Sequence, residues 1–368
     1  MEGETKNKKI TKIIIISIIS VIIILAAILG TKIYIDQRNN AKINNSKIKN
    51  DVMQQNTTTE NKIEEKKVEK TEEKKEAKIF NGTDRPIAVM IDNHKGAWPQ
   101  AGLNKTYLVY EIIVEGGETR LMALFKGQTV DVVGPVRSSR HYFLDYVMEN
   151  DALYAHYGWS PKAESDISTY GINNINGIYY GKPTFWRISK KKAPHNAMTS
   201  TKTILEASKK KGYRTTSDNS SVLNYAQEEL KLADGIEATE IKIPHSYLHS
   251  VTYKYNNKAK RYTRYARGVL QKDYTTGEEV TTKNIIIIFA NNSVLQDGTN
   301  KDRQNLHNIG TFDGYYITNG KAIKIKCTKT DRRTKTIYRD AKTGKEIEVN
   351  DGNTWINICP KSAKVSIK

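Results

Sequence analysis

The run Ile13–Thr31, IIIISIISVIIILAAILGT, carries no charge. It is long enough to cross a hydrocarbon core of about 30 Å as one helix. Lys6, Lys8, Lys9 and Lys12 precede it. That positive flank predicts a cytoplasmic tail at 1–12, a transmembrane signal anchor at 13–31 and an extracytoplasmic remainder. A cleaved signal peptide is the competing reading. Its apolar core is usually shorter, roughly 7–15 residues, and no A-x-A-like site stands out after Ala26-Ala27. The expected location is the cell membrane, with a single pass.

Residues 32–80 shift to Asn, Lys, Glu, Gln and Thr. Glu and Lys fall at helical spacings there, but too few apolar residues occur to bury a core, so a charged, disordered tether is expected. The net charge of the chain is +19, and most of the excess lies beyond the tether. A basic body favours anionic partners. Placed outside the membrane, it would meet envelope anions, and nucleic acid is not expected. The two cysteines, Cys327 and Cys359, read either as a disulfide permitted outside the cytoplasm or as two buried thiols.

From residue 81 to 216, apolar strand-like runs alternate with helical ones. PIAVMID, TYLVYEIIV, TRLMALFKG, TVDVVGPV and LYAHYGW read as strands. HYFLDYVMENDA, PKAESDISTYG and MTSTKTILEASKKK read as helices, the first capped by Ser138 or Ser139. This alternation predicts an α/β N-terminal domain. A linking helix is expected within 217–240. From 241 to 368 short strands separated by Asn-Gly, Thr-Gly and Asp-Gly turns predict a mainly β domain.

The stretch Glu115–Arg140 gathers the chemistry. Arg137 and Arg140 bracket Ser138-Ser139 where a helix is expected to begin, and a helix N-terminus with guanidinium forks suits an anion. With Arg120, Ser138, His156 and Asn196 they form the expected ligand-binding set. The alternative is that they pair with Glu115, Glu118 or Asp145 and fix the turn. Glu115 follows an apolar strand, where burial could raise its pKa for general acid–base work. Asp92 ends the first strand, a position that often faces a ligand crevice. His195 follows a basic loop in KKAPHN as a proton-transfer candidate, with Asn196 placed to orient its ring. His156 is a ligand-binding candidate whose competing role is a buried, hydrogen-bonded histidine.

A metal site could be drawn through Glu115, Asp92 and His195, but no HxH or HExxH spacing supports one, and no metal is expected. The sequence lacks a G-x-S-x-G, a Walker loop and a dinucleotide fingerprint, so no cofactor is expected either. In the second domain Tyr253, Tyr255, Tyr262 and Tyr265 interleave with Lys254, Arg261, Arg264 and Arg267. Such a face could stack on sugars and hold acidic groups, or could simply pack.

RPIAVMIDN, WPQAGL, YEIIVEGGETR, GPVRSSR, HYGWSP, APHN, YKYNNKAKRYTRYARG and GNTWINICP together resemble the YerB-like family of bacterial envelope proteins. That resemblance implies a two-domain extracytoplasmic body and brings no established catalytic residues. Its members are mostly described as lipoproteins, whereas no lipobox cysteine lies near this apolar run. The expected function is binding, with hydrolysis as an open extension, of an anionic cell-wall polymer or phosphorylated glycan. A non-enzymatic adaptor for envelope protein partners is the alternative.

Overall fold

IAVMID, LVYEII and TRLMALF are apolar at both odd and even positions, so each strand needs cover on both faces. In the computed structural model, which describes residues 82–217, 221–299 and 301–368, they form β1 (Ile87–Asp92), β2 (Leu108–Ile113) and β3 (Thr119–Phe125), buried throughout. β1 and β2 both pair antiparallel with β3, while β4 (Leu153–His156) and β5 (Asn174–Asn176) continue the sheet in parallel. A short hairpin, β6 (Phe185–Arg187) and β7 (Ala197–Thr199), stands apart.

The second half supplies β8 (Ile236–Glu237), β9 (Glu240–Pro244), β10 (Ser250–Asn256), β11 (Arg261–Ala266), β12 (Val269–Leu270) and β13 (Thr281–Thr282). After these come β14 (Asn284–Val294), β15 (Gln304–His307), β16 (Gly310–Thr318), β17 (Lys321–Lys329), β18 (Ile337–Asp340), β19 (Thr354–Pro360) and β20 (Ser366–Ile367). β19 runs parallel to both β14 and β2, and so fuses the two halves into one twelve-stranded sheet. Its main path is β18-β17-β16-β14-β19-β2-β3-β1-β4-β5. A second sheet, β12-β11-β10-β9-β20 with β13, packs Ile241, Ile243, Val251, Tyr253 and Tyr262 against Ile285, Ile287 and Trp355 of the first.

Among the described residues three short α-helices complete the body: α1 (Phe143–Glu149), α2 (Pro161–Thr169) and α3 (Thr201–Lys210). Ser160 and Ser200 cap α2 and α3 by accepting from Ala163 N and Thr203 N. Each such cap is worth roughly 1 kcal/mol. α1 and α2 cover the face of β1 that carries Ala88 and Met90, and α3 covers the Val89 and Ile91 face.

This architecture corrects the expected fold class. Strands hold 41% of the structure against 12% for helices, so the body is mainly β and the N-terminal part is not an α/β domain. The helices are local cover, and the sheet they cover is completed by strands from the other half. Among the described residues no helix is long and apolar enough to cross a membrane. The expected anchor at 13–31 and the tether at 32–80 lie outside the described residues.

The expected linking helix does not form over residues 221–235. Tyr225 instead bridges Val349, and Ala226 N donates to Val349 O, so this segment is held extended against the sheet. Cys327 and Cys359 are both free and buried. β16 and β14 stand between their strands, a separation of roughly 14 Å at ordinary strand spacing, beyond disulfide reach.

Candidate functional site

β1 ends at Asp92, and the chain turns there because Asp92 Oδ1 accepts from His94 N at 3.1 Å. His94 in turn accepts from Gly96 N through Nδ1 at 3.0 Å, which leaves its Nε2 to carry the proton when neutral. Its ring stacks on that of His195, centroids 4.4 Å apart and 15° from parallel. Gly96 permits this approach: a Cβ there would sit 3.1 Å from His195 Cδ2.

His195 Nδ1 lies 2.7 Å from Asp92 Oδ2. A carboxylate oxygen accepts, so Nδ1 donates and Nε2 is the open nitrogen. The histidine side chain is 20% exposed, whereas the aspartate is 4% exposed. Arg137 places Nε 3.2 Å from the same Oδ2, and its side chain is 25% exposed. The angle there does not make a hydrogen bond, so the contact is an ion pair. Lys191 closes the loop side by donating to Ala97 O at 2.5 Å and to Pro99 O. Burial pulls its pKa down to about 8, against the opposing pull of Asp92.

Glu115 has a different environment from the one expected. Burial acts to raise its pKa, but the Arg140 hydrogen bond and the charges of Arg120 and Arg140 overcome that and bring it to about 2. It accepts from Arg140 Nε at 2.9 Å and from Arg120 Nη2 at 3.1 Å, with a further contact to Arg140 Nη2. Arg120 also donates to Ser138 O and Arg140 to Ser139 O, each at 2.7 Å. Both arginines are more than nine-tenths buried. Their donors therefore serve the interior, and Glu115 remains a fixed anion rather than a general acid. Among the three arginines, Arg137 is the one whose terminal nitrogens have no hydrogen bond to a described residue.

The remaining expected site residues have local duties. Ser138 Oγ donates to Tyr157 O at 2.9 Å and does not cap a helix, because α1 starts at Phe143 and has no side-chain cap. The expected helix-terminus anion site at Arg137–Arg140 is thus not formed. His156 is fully buried, with Nδ1 2.8 Å from Gly158 O and Nε2 3.1 Å from Asn174 Oδ1; burial lowers its pKa to about 4. Asn196 accepts from Arg187 Nη1 and donates to Ile188 O and Lys191 O, so it pins the loop while Asp92 orients His195.

Sequence reasoning missed a buried network behind the site. Glu111 accepts from Arg264 Nη2 (2.9 Å), Asn93 Nδ2 (3.0 Å), Thr119 Oγ1 (2.9 Å) and His249 Nε2 (3.0 Å). Burial opposes its ionisation, yet Arg264 and the histidines hold its pKa well below the carboxylate range. His249 Nδ1 accepts from Arg267, which also pairs with Glu118, and Glu118 Oε1 lies 3.9 Å from His94 Nε2. Inward alternation on β10 and β11 buries Tyr253, Tyr262 and Arg264. Of the two readings of that hairpin, packing holds for these three residues, which belong to the core. An acid at an even position in LVYEII was the available signal.

Among the described residues, no group of three or more His, Cys, Asp or Glu side chains is arranged to hold a metal ion. Two family domains match this chain, both described as protein of unknown function (DUF3048): the N-terminal domain over residues 70–214 and the C-terminal domain over 241–356. It is 33% identical over 287 residues to "Putative lipoprotein YerB" of Bacillus subtilis (strain 168), covering 77% of this chain and 83% of that protein. The crystal structure of YerB protein from Bacillus subtilis matches with a TM-score of 0.69 at 31% identity, covering 80% of this chain and 97% of that one. The chain belongs to the YerB-like DUF3048 family.

Proposed function

We propose that this chain is a membrane-associated, extracytoplasmic protein that binds an anionic group of a cell-envelope polymer or phosphorylated glycan at Arg137 and His195. The observation that carries this reading is the Asp92–His195 pair at 2.7 Å, with Arg137 ion-paired to the same Asp92 oxygen and its terminal nitrogens without a hydrogen bond among the described residues. A guanidinium end without internal partners can make two parallel bonds to phosphate or carboxylate. An imidazole oriented by a carboxylate can exchange a proton with the same group. The lipoprotein description of the Bacillus relative supports the extracytoplasmic placement, and the charge of +19 supports an anionic partner.

Polyglycerol phosphate, titrated calorimetrically into the protein, is the direct test. Arg137→Ala is expected to weaken binding about tenfold, the loss of one charge-assisted contact. His195→Gln is expected to keep most of the affinity while removing any phosphodiester cleavage that the wild type shows. Failure of the wild type to bind the polymer at low salt, or equal binding by Arg137→Ala, would sink this reading.

A further inference from the structure

The edge strand β5 and the loop beyond it line a cleft of about 850 Å³. Its size falls in the range of small-ligand sites. Trp159, Tyr179, Tyr180 and Tyr213 supply four aromatic rings to its walls. Tyr179 is 69% exposed. Its ring centroid lies 6.0 Å from that of Trp159 with the planes 57° apart, so the two walls diverge instead of stacking on each other.

Asn176 also lines the cleft and is only 2% exposed. Its Oδ1 accepts from Gly158 N at 2.9 Å and Ile178 N at 3.1 Å, which fixes the amide's orientation. The opposite end, Nδ2, is buried without a hydrogen-bond partner among the described residues. A buried donor left in that state costs roughly 1–3 kcal/mol, and a ligand oxygen admitted by a small shift of the lining would relieve it.

The charges on the rim are one of each sign, Glu164 and Lys211, so the lining does not select an anion. Polarised C–H groups on the face of a pyranose are attracted to the negative face of an aromatic ring, and a hydroxyl can accept from Asn176. A peptide added to β5 as a strand would use backbone pairing instead, but β5 spans only Asn174–Asn176.

We propose that this cleft binds a neutral saccharide chain, with Tyr179 and Trp159 against sugar faces and Asn176 Nδ2 donating to a hydroxyl. None of these residues belongs to the Arg137–His195 site, so the two readings stand or fall separately. The test is titration of the full chain with N-acetylglucosamine tetramer and with cellotetraose, followed by calorimetry and tryptophan fluorescence. At least one tetrasaccharide is expected to saturate the wild type. Tyr179→Ala is expected to bind about tenfold more weakly, the scale of one lost ring contact, with an unchanged thermal transition because the ring is mostly exposed. Arg137→Ala is expected to bind like the wild type. Absence of binding by both sugars, undiminished binding in Tyr179→Ala, or saturation by a hexathreonine peptide in their place overturns the proposal.

Discussion

Two guanidinium groups outweigh burial at Glu115, and this makes the residue a structural anion with a pKa of about 2. Because that value is depressed below the ordinary 4.5, its stabilisation is whole above about pH 4.5 and is lost as pH falls toward 2. His156 and the fully buried His245, which directly follows β9, are each held at about 4 chiefly by burial and add an earlier stage. The unfolded chain takes up their protons below about pH 6.5 while the folded chain does not, so stability already declines between about 6.5 and 4. Denaturant titrations across this range should show both declines in the wild type. Glu115→Gln should cost about 2–3 kcal/mol at neutral pH, since it leaves Arg120 and Arg140 short of a partner. That difference should shrink at pH 3; a gap constant with pH would contradict the assignment. Asp92 and His195 were legible in the sequence as a strand end and as a histidine after a basic loop. Their contact, 103 residues apart, was not, because local pattern carries no record of which distant side chains meet. Arg120 and Arg140 were legible as charges, but their inward partners decide their role.

Most strands declared themselves through period, and α2 and α3 begin at serines that cap them, whereas TVDVVGPV makes only isolated bridges instead of the expected strand and 221–235 holds no helix. The pairing order did not declare itself. LVYEII reads the same whether its neighbour is β3 alone or β3 and β19 together, and only the three-dimensional sheet shows the second partner. Gly314 marks how close β16 and β14 lie: a Cβ there would stand 2.2 Å from Ile287 O, a backbone atom that cannot swing aside. Gly314→Ala should therefore destabilise the body by about 1–3 kcal/mol or more through a forced shift of the two strands. Gly116→Ala is the useful contrast for crowding, because a Cβ there meets nothing within 4 Å and only its positive φ of +66° is strained. Its cost should be about 1 kcal/mol. Equal losses for the two variants in chemical denaturation would mean that the sheet yields at Gly314.

For the whole molecule, the central position of β19 makes the two family domains one folding unit. Glu111 on β2 meets Arg264 on β11 as a fully buried ion pair, so charge satisfaction also requires both halves. Thermal unfolding of the body should accordingly be a single transition, with circular dichroism and tryptophan fluorescence coinciding; two resolved transitions would show separable domains. The strand that joins the halves is Thr354–Pro360, which follows both of its neighbours, β2 and β14, along the chain. A polypeptide emerges from a ribosome N-terminus first, so the middle of this sheet arrives after both of the strands that it joins. Until then β2 and β14 present long apolar edges to one another with nothing between them. The sheet can therefore close only after β19 is available to pair with both of them.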